Sequence, residues 1–263
     1  MGIFSGAGFG VLVDLGGSGA KIATYSGGKI GAVRRCSVSS EAELFSGIQK
    51  SADGKTVTSL AFSVAGFVNT ENGSVLKSAC YPFLEGDLAA HARKAFPKAK
   101  VRVVNDGEAH ARSLLLQPDI RFGAIHLAFG TSVAFGVIND KKEVVQTVRG
   151  ENWDIGDLRL DTKASEKEVW WALGSNGLAE LEKTMDGDPY LHFGYRMGSL
   201  LNRLAVIFRP YTIGISGGII TAHAREIERG VREEFREPPF SERPEIRFLP
   251  GQDTVMQGLT TLL

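Results

Sequence analysis

The sequence predicts an α/β chain that repeats one motif, two halves each opening on three hairpin-linked strands. Three observations predict it. Apolar runs of strand length, residues 10–15 (GVLVDL) and 123–129 (GAIHLAF), each end in a turn of small residues. Such continuous runs mark strands covered on both faces. Each run is followed by two more strand-like segments joined through tight-turn residues, so the pattern restarts midway, as a degenerate duplication does. Glycine is enriched, 32 of 263 residues or about 12% against a usual ~7%, and it gathers where backbone must turn or approach something closely.

Taken in order, residues 21–25 form the second strand, and Ser26-Gly27-Gly28-Lys29 is a tight hairpin turn into a third over 30–38. Residues 41–52 place Ala42, Leu44, Phe45 and Ile48 at helical spacing. A strand over 59–64 breaks at Ala65-Gly66, and Glu71-Asn72-Gly73-Ser74 is a second hairpin turn. A helix over 87–96, a strand over 101–104 and a helix over 108–116, after Asn105-Asp106-Gly107, complete this half. The second half runs through strands over 123–129, 133–138 and 143–148, with Gly130-Thr131-Ser132 and Asn139-Asp140-Lys141-Lys142 between them. Helices follow over 163–173, 178–185 and 195–208, the last ended by Pro210. A strand over 212–215, a helix opened by Gly217-Gly218, a charged helix over 224–236, a strand over 246–249 and a helix over 254–263 close the chain. No Pro-, Ser- or charge-rich linker separates the halves. The expected organisation is a small N-terminal lobe over 1–105 and a larger C-terminal lobe over 106–249, facing each other across a cleft. Residues 250–263 are a candidate to pack back on the first lobe.

Lys+Arg 30 balances Asp+Glu 30, which argues against nucleic acid or an anionic membrane as a whole-molecule partner. Two cysteines, Cys36 and Cys80, supply neither a disulfide framework nor a structural zinc cluster, and the five histidines lack metal-ligand spacing. There is no apolar run of membrane-span length and no leader pattern. Gly6 stands where a myristoylation motif has Ser or Thr. The expected location is cytoplasmic.

Four short segments are candidates for chemistry. In Asp14-Leu15-Gly16-Gly17-Ser18-Gly19-Ala20-Lys21 a carboxylate ends a buried strand beside a glycine hairpin. That arrangement suits phosphate with hydrated magnesium, since bare backbone N–H groups can meet oxyanions; the alternative is an Asp bonding its own turn. Asn105-Asp106 lies between a buried strand and a helix, where the carboxylate could serve as a general base or the pair could simply cap the helix. Gly130-Thr131 could donate to phosphates and Gly217-Gly218 could admit a nucleoside, each also readable as a turn or packing glycine. Lys163, Lys167 and Lys183 could hold an extended polyphosphate, although charged helix faces are usually just solvated. Trp170-Trp171 and Phe62 read as core.

The order of these segments resembles the ROK family of sugar kinases and regulators, within the actin-like ATPase superfamily. Residues 14–21 resemble its DxGGTxxK phosphate motif with Ser18 in the Thr place, and residues 104–109 its (E/V)NDA(N/D)A motif. Residues 195–219 are similar to its long helix, following turn and GG adenosine motif, and residues 152–167 to the compact polyphosphate- or ATP-dependent glucokinase branch, which omits the family's zinc-binding cysteines. The resemblance implies a duplicated ribonuclease H-like, two-lobe fold. It also implies Mg2+ held through water by Asp14, and a phosphoryl donor, ATP or polyphosphate, lined by Gly16, Gly17, Ser18, Lys21, Gly130, Thr131, Gly217 and Gly218. Asp106 corresponds to the catalytic base, and Asn105, Asp154, Asp157 and Cys80 fall at sugar-contact positions. No structural zinc is expected. Partners would be a small sugar and a nucleotide, with a homodimer compatible. There is no helix-turn-helix ahead of Asp14.

The departures are specific. Ser132 and Ala134 replace two glycines of the second phosphate loop, Asp154 and Asp157 replace the sugar-contacting Glu and His, and Cys80 replaces an Asn. Three carboxylates, Asp106, Asp154 and Asp157, converging on one pocket could not all ionise cheaply, so one should titrate high or a cation should sit among them. The expected activity is phosphoryl transfer to a hexose or related polyol or amino sugar. The alternative is a catalytically weakened relative acting as a sugar-responsive binding or regulatory protein.

Overall fold

The computed structural model describes residues 9–160, 167–236 and 242–263. The chain divides into two compact units. The first runs to Ser113 and takes in Thr147–Asn152 and Val255–Leu263; the second holds Leu114–Gln146 and Trp153–Thr254.

In the first unit, β1 (Gly10–Gly16), β2 (Gly19–Ser26), β3 (Lys29–Ile30) and β4 (Arg34–Cys36) precede α1 (Glu41–Ala52) and β5 (Ser59–Val64). A small hairpin, β6 (Phe67–Asn69) and β7 (Ser74–Lys77), then leads to α2 (Leu88–Ala95), β8 (Lys100–Asn105) and α3 (Asp106–Arg112). The sheet order is β3-β2-β1-β5-β8, with β1, β5 and β8 parallel and β2 antiparallel to β1. One face packs Val13, Leu15 and Phe62 on Leu44 and Ile48 of α1 and Leu88 and Ala92 of α2. The other packs Leu12, Ala61 and Val104 on Ala109 of α3 and on Val255, Met256 and Leu259. Cover on both faces is why β1 is apolar apart from Asp14, which alternation turns to the α3 side.

The second unit holds β9 (Ala124–Phe129), β10 (Val133–Ile138), α4 (Val169–Ala172), α5 (Ser175–Thr184), α6 (Pro189–Phe208), β11 (Thr212–Ser216), α7 (Gly218–Glu234) and β12 (Glu245–Phe248). Its sheet order is β10-β9-β11-β12, with β9, β11 and β12 parallel and β10 antiparallel. The path β2-β1-β5-β8 therefore recurs as β10-β9-β11-β12 with the same directions, which is the duplication expressed as topology. One core joins the sheet to the helices through Leu127, Phe129, Phe193, Leu200, Ile215 and Ile227. A last helix, α8 (Thr254–Thr260), crosses the division between the units.

Several elements differ from the sequence reading. The strand over 30–38 is two short pieces, β3 and β4, which pair with opposite ends of β2. The segment over 143–148 is not a strand: Val144 makes a single bridge to Ile138, and the chain then crosses to the first unit, where Glu151 bridges Asn69. The second half thus opens on two strands, not three. Helix α3 begins at Asp106 because Asn105 caps it, and its end tightens into a 3₁₀ turn over Ser113–Leu116. Helix α6 starts ahead of its apolar stripe because Asp188 caps it and Pro189 occupies its first turn. Of the helix over 163–173, the described part is α4; Lys163 lies outside the described residues. The division falls after Ser113 rather than after 105, because α3 packs on the first sheet, with Gly258 in turn against the backbone of Ala109. Among the described residues no helix is long and apolar enough to cross a membrane.

Candidate active site

In the first unit the β1–β2 hairpin closes at Gly16 opposite Gly19, leaving Gly17 and Ser18 exposed at its tip. Asp14 and Lys21 face each other across the ladder, and Lys21 Nζ lies 3.1 Å from Asp14 Oδ2. The carboxylate is buried and the ammonium nearly so, which makes this pair stronger than a surface ion pair. Tyr81 Oη donates to Gly16 O at 2.9 Å and ties the hairpin to the segment before α2. Ser78 braces that segment, donating from Oγ to Ala65 O and accepting from Tyr81 N. Burial pushes the Tyr81 phenol up to about 12, with Cys80, Asp14 and Cys36 adding to it. Cys80 is exposed beside this anchor.

Asn105 and Asp106 sit where β8 runs into α3. Asn105 Oδ1 accepts from Gly107 N at 2.7 Å, capping the helix, while its Nδ2 donates to Gly66 O at 2.7 Å and to Asp106 Oδ1 at 2.8 Å. Both amide N–H groups are thereby used. Gly107 N also reaches Asp106 Oδ1, at 3.0 Å. Oδ1 is fixed twice and Oδ2 has no side-chain partner among the described residues. Burial, then the charge of Asp14, pushes the Asp106 carboxyl up to about 7, against the bonds from Gly107, its own N–H and Asn105 that favour the anion. Asn105 thus caps the helix and holds the Asp106 carboxylate at the same time, so the cap does not consume Asp106 Oδ2. The like charge that raises Asp106 comes from Asp14.

The spacing of His110 fits no metal site, so the sequence does not single it out. It lies one helical turn beyond Asp106, and burial together with Lys21 holds its imidazole down at about 3, so it is neutral. Its signal was the i, i+4 step from Asp106, which puts both on one helix face. Glu108 is buried, paired with Arg112 at 2.7 Å and accepting from Thr70 Oγ1 at 3.1 Å, and so anchors α3 to the β6–β7 hairpin.

The remaining candidates belong to the second unit. Gly130, Thr131 and Ser132 link β9 to β10; Gly130 is half-buried, the next two are exposed, and a Cβ at Gly130 would meet nothing within 4 Å. Packing does not require glycine there. Gly217 is different: its φ is 112°, and a Cβ would strike the Phe129 backbone. Gly218 faces open space. Gly217→Ala is accordingly expected to destabilise by about 3 kcal/mol from strain and overpacking, and Gly218→Ala by under about 1 kcal/mol; urea unfolding of the two variants checks this. Asp154 and Asp157 are exposed, and Asp154 Oδ1 accepts from Gly156 N at 2.7 Å, bonding its own loop. Lys167 pairs with Glu180 at 2.7 Å and lies over the Trp171 ring, which occupies it.

No family model and no curated protein matches the sequence. Solved structures do. A ROK family glucokinase from Streptomyces griseus, in complex with glucose and AMPPNP, is 16% identical with a TM-score of 0.74, over 97% of this chain and 99% of that one. An inorganic polyphosphate/ATP-glucomannokinase from Arthrobacter sp. strain KM is 16% identical with a TM-score of 0.69, over 97% and 98%. A ROK family transcriptional regulator, a homologue of the E. coli MLC protein, is 19% identical with a TM-score of 0.77, over 97% and 77%. The chain has the ROK fold. That places it in the duplicated ribonuclease H-like class expected from its motifs.

A magnesium ion fits the first unit in one way. Among the described residues no three His, Cys, Asp or Glu side chains gather as a metal cage. Magnesium commonly keeps several waters and takes one carboxylate plus substrate phosphates, and Asp14, buried at the hairpin base, offers that one carboxylate.

Proposed function

We propose that the protein is a sugar kinase, transferring a phosphoryl group from ATP or polyphosphate to a hydroxyl of a hexose or a related polyol or amino sugar. The observation that carries this is Asp106: a carboxylate fixed through one oxygen, open at the other and poised near neutrality. A general base works best when its pKa lies near the working pH. Asp106 Oδ2 takes the proton of the acceptor hydroxyl as that oxygen bonds to phosphorus and the donor's bridging oxygen leaves. Asn105 is a positioning residue for Asp106, since its N–H groups are already committed. The Gly16-Gly17-Ser18 hairpin and Lys21, steadied by Tyr81, hold the donor phosphates, and Asp14 would hold hydrated magnesium; Gly130, Thr131, Gly217 and Gly218 serve the nucleotide. Bound magnesium would neutralise charge on the transferring phosphates. The motif resemblance assigns Asp154, Asp157 and Cys80 to acceptor contacts, and with Asp157 where the motif has His, the preferred acceptor is a polyol or amino sugar. The protein acts in the cytoplasm.

A second reading, a sugar-responsive regulatory protein, is favoured by Ser132 in the β9–β10 turn and Ala134 at the start of β10, which put side chains where the motif has glycine. A coupled ADP-release assay over hexoses, polyols and amino sugars, repeated with polyphosphate as donor, separates them. Acceptor-dependent turnover is expected, with an amino sugar or polyol ahead of glucose. Calorimetric sugar binding without turnover on either donor would establish the second reading instead.

A further inference from the structure

The first unit carries a cavity at the end of its sheet where β5 and β8 begin. It is open to solvent, with a volume of about 370 Å³, within the usual range for a small-molecule site. Gln49 and Ala52 from the last turn of α1, Ala95 from the end of α2, and the loops that follow line it. Asp106 follows the far end of β8, so the six residues of that strand separate the two places by roughly 20 Å.

Its chemistry is of two kinds. Lys55 and Lys98 line it, both exposed, and no carboxylate does. Lys55 Nζ lies 5.0 Å over the Phe9 ring, which places the ammonium without neutralising it. Lys98 has no ion-pair partner among the described residues. Val57, Phe96 and Pro97 add apolar groups to the same lining. The carboxyl-terminal ends of two helices also meet there, and their last carbonyls accept hydrogen bonds but repel anions. A simple anion suits only the lysine side. A ligand with an anionic group at one end and hydroxyl donors at the other suits both, its C–H face lying on the apolar floor.

We propose that this cavity binds a small phosphorylated polyol, the phosphate on Lys55 and Lys98 and the hydroxyls toward Gln49 and the helix ends. The proposal does not depend on the kinase reading. Isothermal calorimetry with glucose 6-phosphate as probe tests it on the full chain, beside glucose and inorganic phosphate. Binding in the millimolar range or tighter is expected. Lys98→Met and Lys55→Met should each weaken it about tenfold or more, the loss of a charge-assisted bond, while Asp106→Ala leaves it unchanged. No binding of the probe, or full affinity in both lysine variants with their circular dichroism intact, would overturn the site. Loss in Asp106→Ala would assign the ligand to the candidate active site, and inorganic phosphate binding as tightly as the probe would overturn the polyol.

Discussion

Asp106→Ala is expected to lower kcat by roughly 10²–10⁴-fold, the range for loss of a general base, in a protein that still folds. The side chain is not part of an apolar core, and the helix keeps its cap from Asn105 Oδ1 to Gly107 N, so circular dichroism should be unchanged. Asp106→Asn keeps the shape and loses the proton acceptor, and should fall in the same range; the pair of variants separates chemistry from packing. The wild-type profile carries a second signature. A base must be unprotonated to act, and this carboxyl is pushed up to about 7. Activity at low substrate should therefore climb with pH through about 7 and then level off. A stopped assay across pH 5–9 reads both effects, and wild-type turnover in either variant would remove Asp106 from the reaction.

Much of this was legible in the sequence because one physical signal dominated locally. Residues 41–52 and 59–64 were bounded correctly, since Ser40 caps one and Gly66 breaks the other. The duplicated topology followed from two apolar runs with similar sequels. What failed was non-local. Nothing within 143–148 announces that the chain will leave β10 to bridge Asn69, because the partner is remote in sequence. The start of α3 was misplaced because Asn105, Asp106 and Gly107 resemble a turn, and only the cap geometry shows Asp106 already inside the helix. The charge environment was half legible. Crowding among Asp106, Asp154 and Asp157 predicts that one of the three titrates high or that a cation sits among them, and Asp106 is the one that is raised. The cause is burial, helped by Asp14 across the parallel strands, and that follows from strand order rather than from any local motif.

Asp106 and His110 should also cancel one another in the pH dependence of stability, and separating them should reveal two opposite slopes. Folding raises the Asp106 carboxyl from an ordinary 3.8 to about 7, so between those values the folded protein holds a proton that the unfolded chain has lost. That contribution to stability is complete below about 4 and falls as pH rises toward 7. Folding lowers the His110 imidazole from 6.5 to about 3, so between those values the unfolded chain holds a proton that the folded protein does not. That contribution has the opposite sign, and stability rises with pH. From about pH 4 to 6.5 each state therefore carries one proton on this pair, on Asp106 when folded and on His110 when unfolded, and the net slope from the two is near zero. In Asp106→Asn the histidine acts alone, and stability relative to wild type should rise with pH by up to about 1.4 kcal/mol per unit. In His110→Gln the carboxyl acts alone and the relative slope should have the same size and the reverse sign. Urea unfolding of the three proteins at pH 4.5, 5.5 and 6.5 measures both, and because every other titrating group is common to them, the differences isolate this pair. Parallel curves for wild type and both variants would mean that folding shifts neither group, and the assignment of Asp106 as a base near neutrality would fall with it.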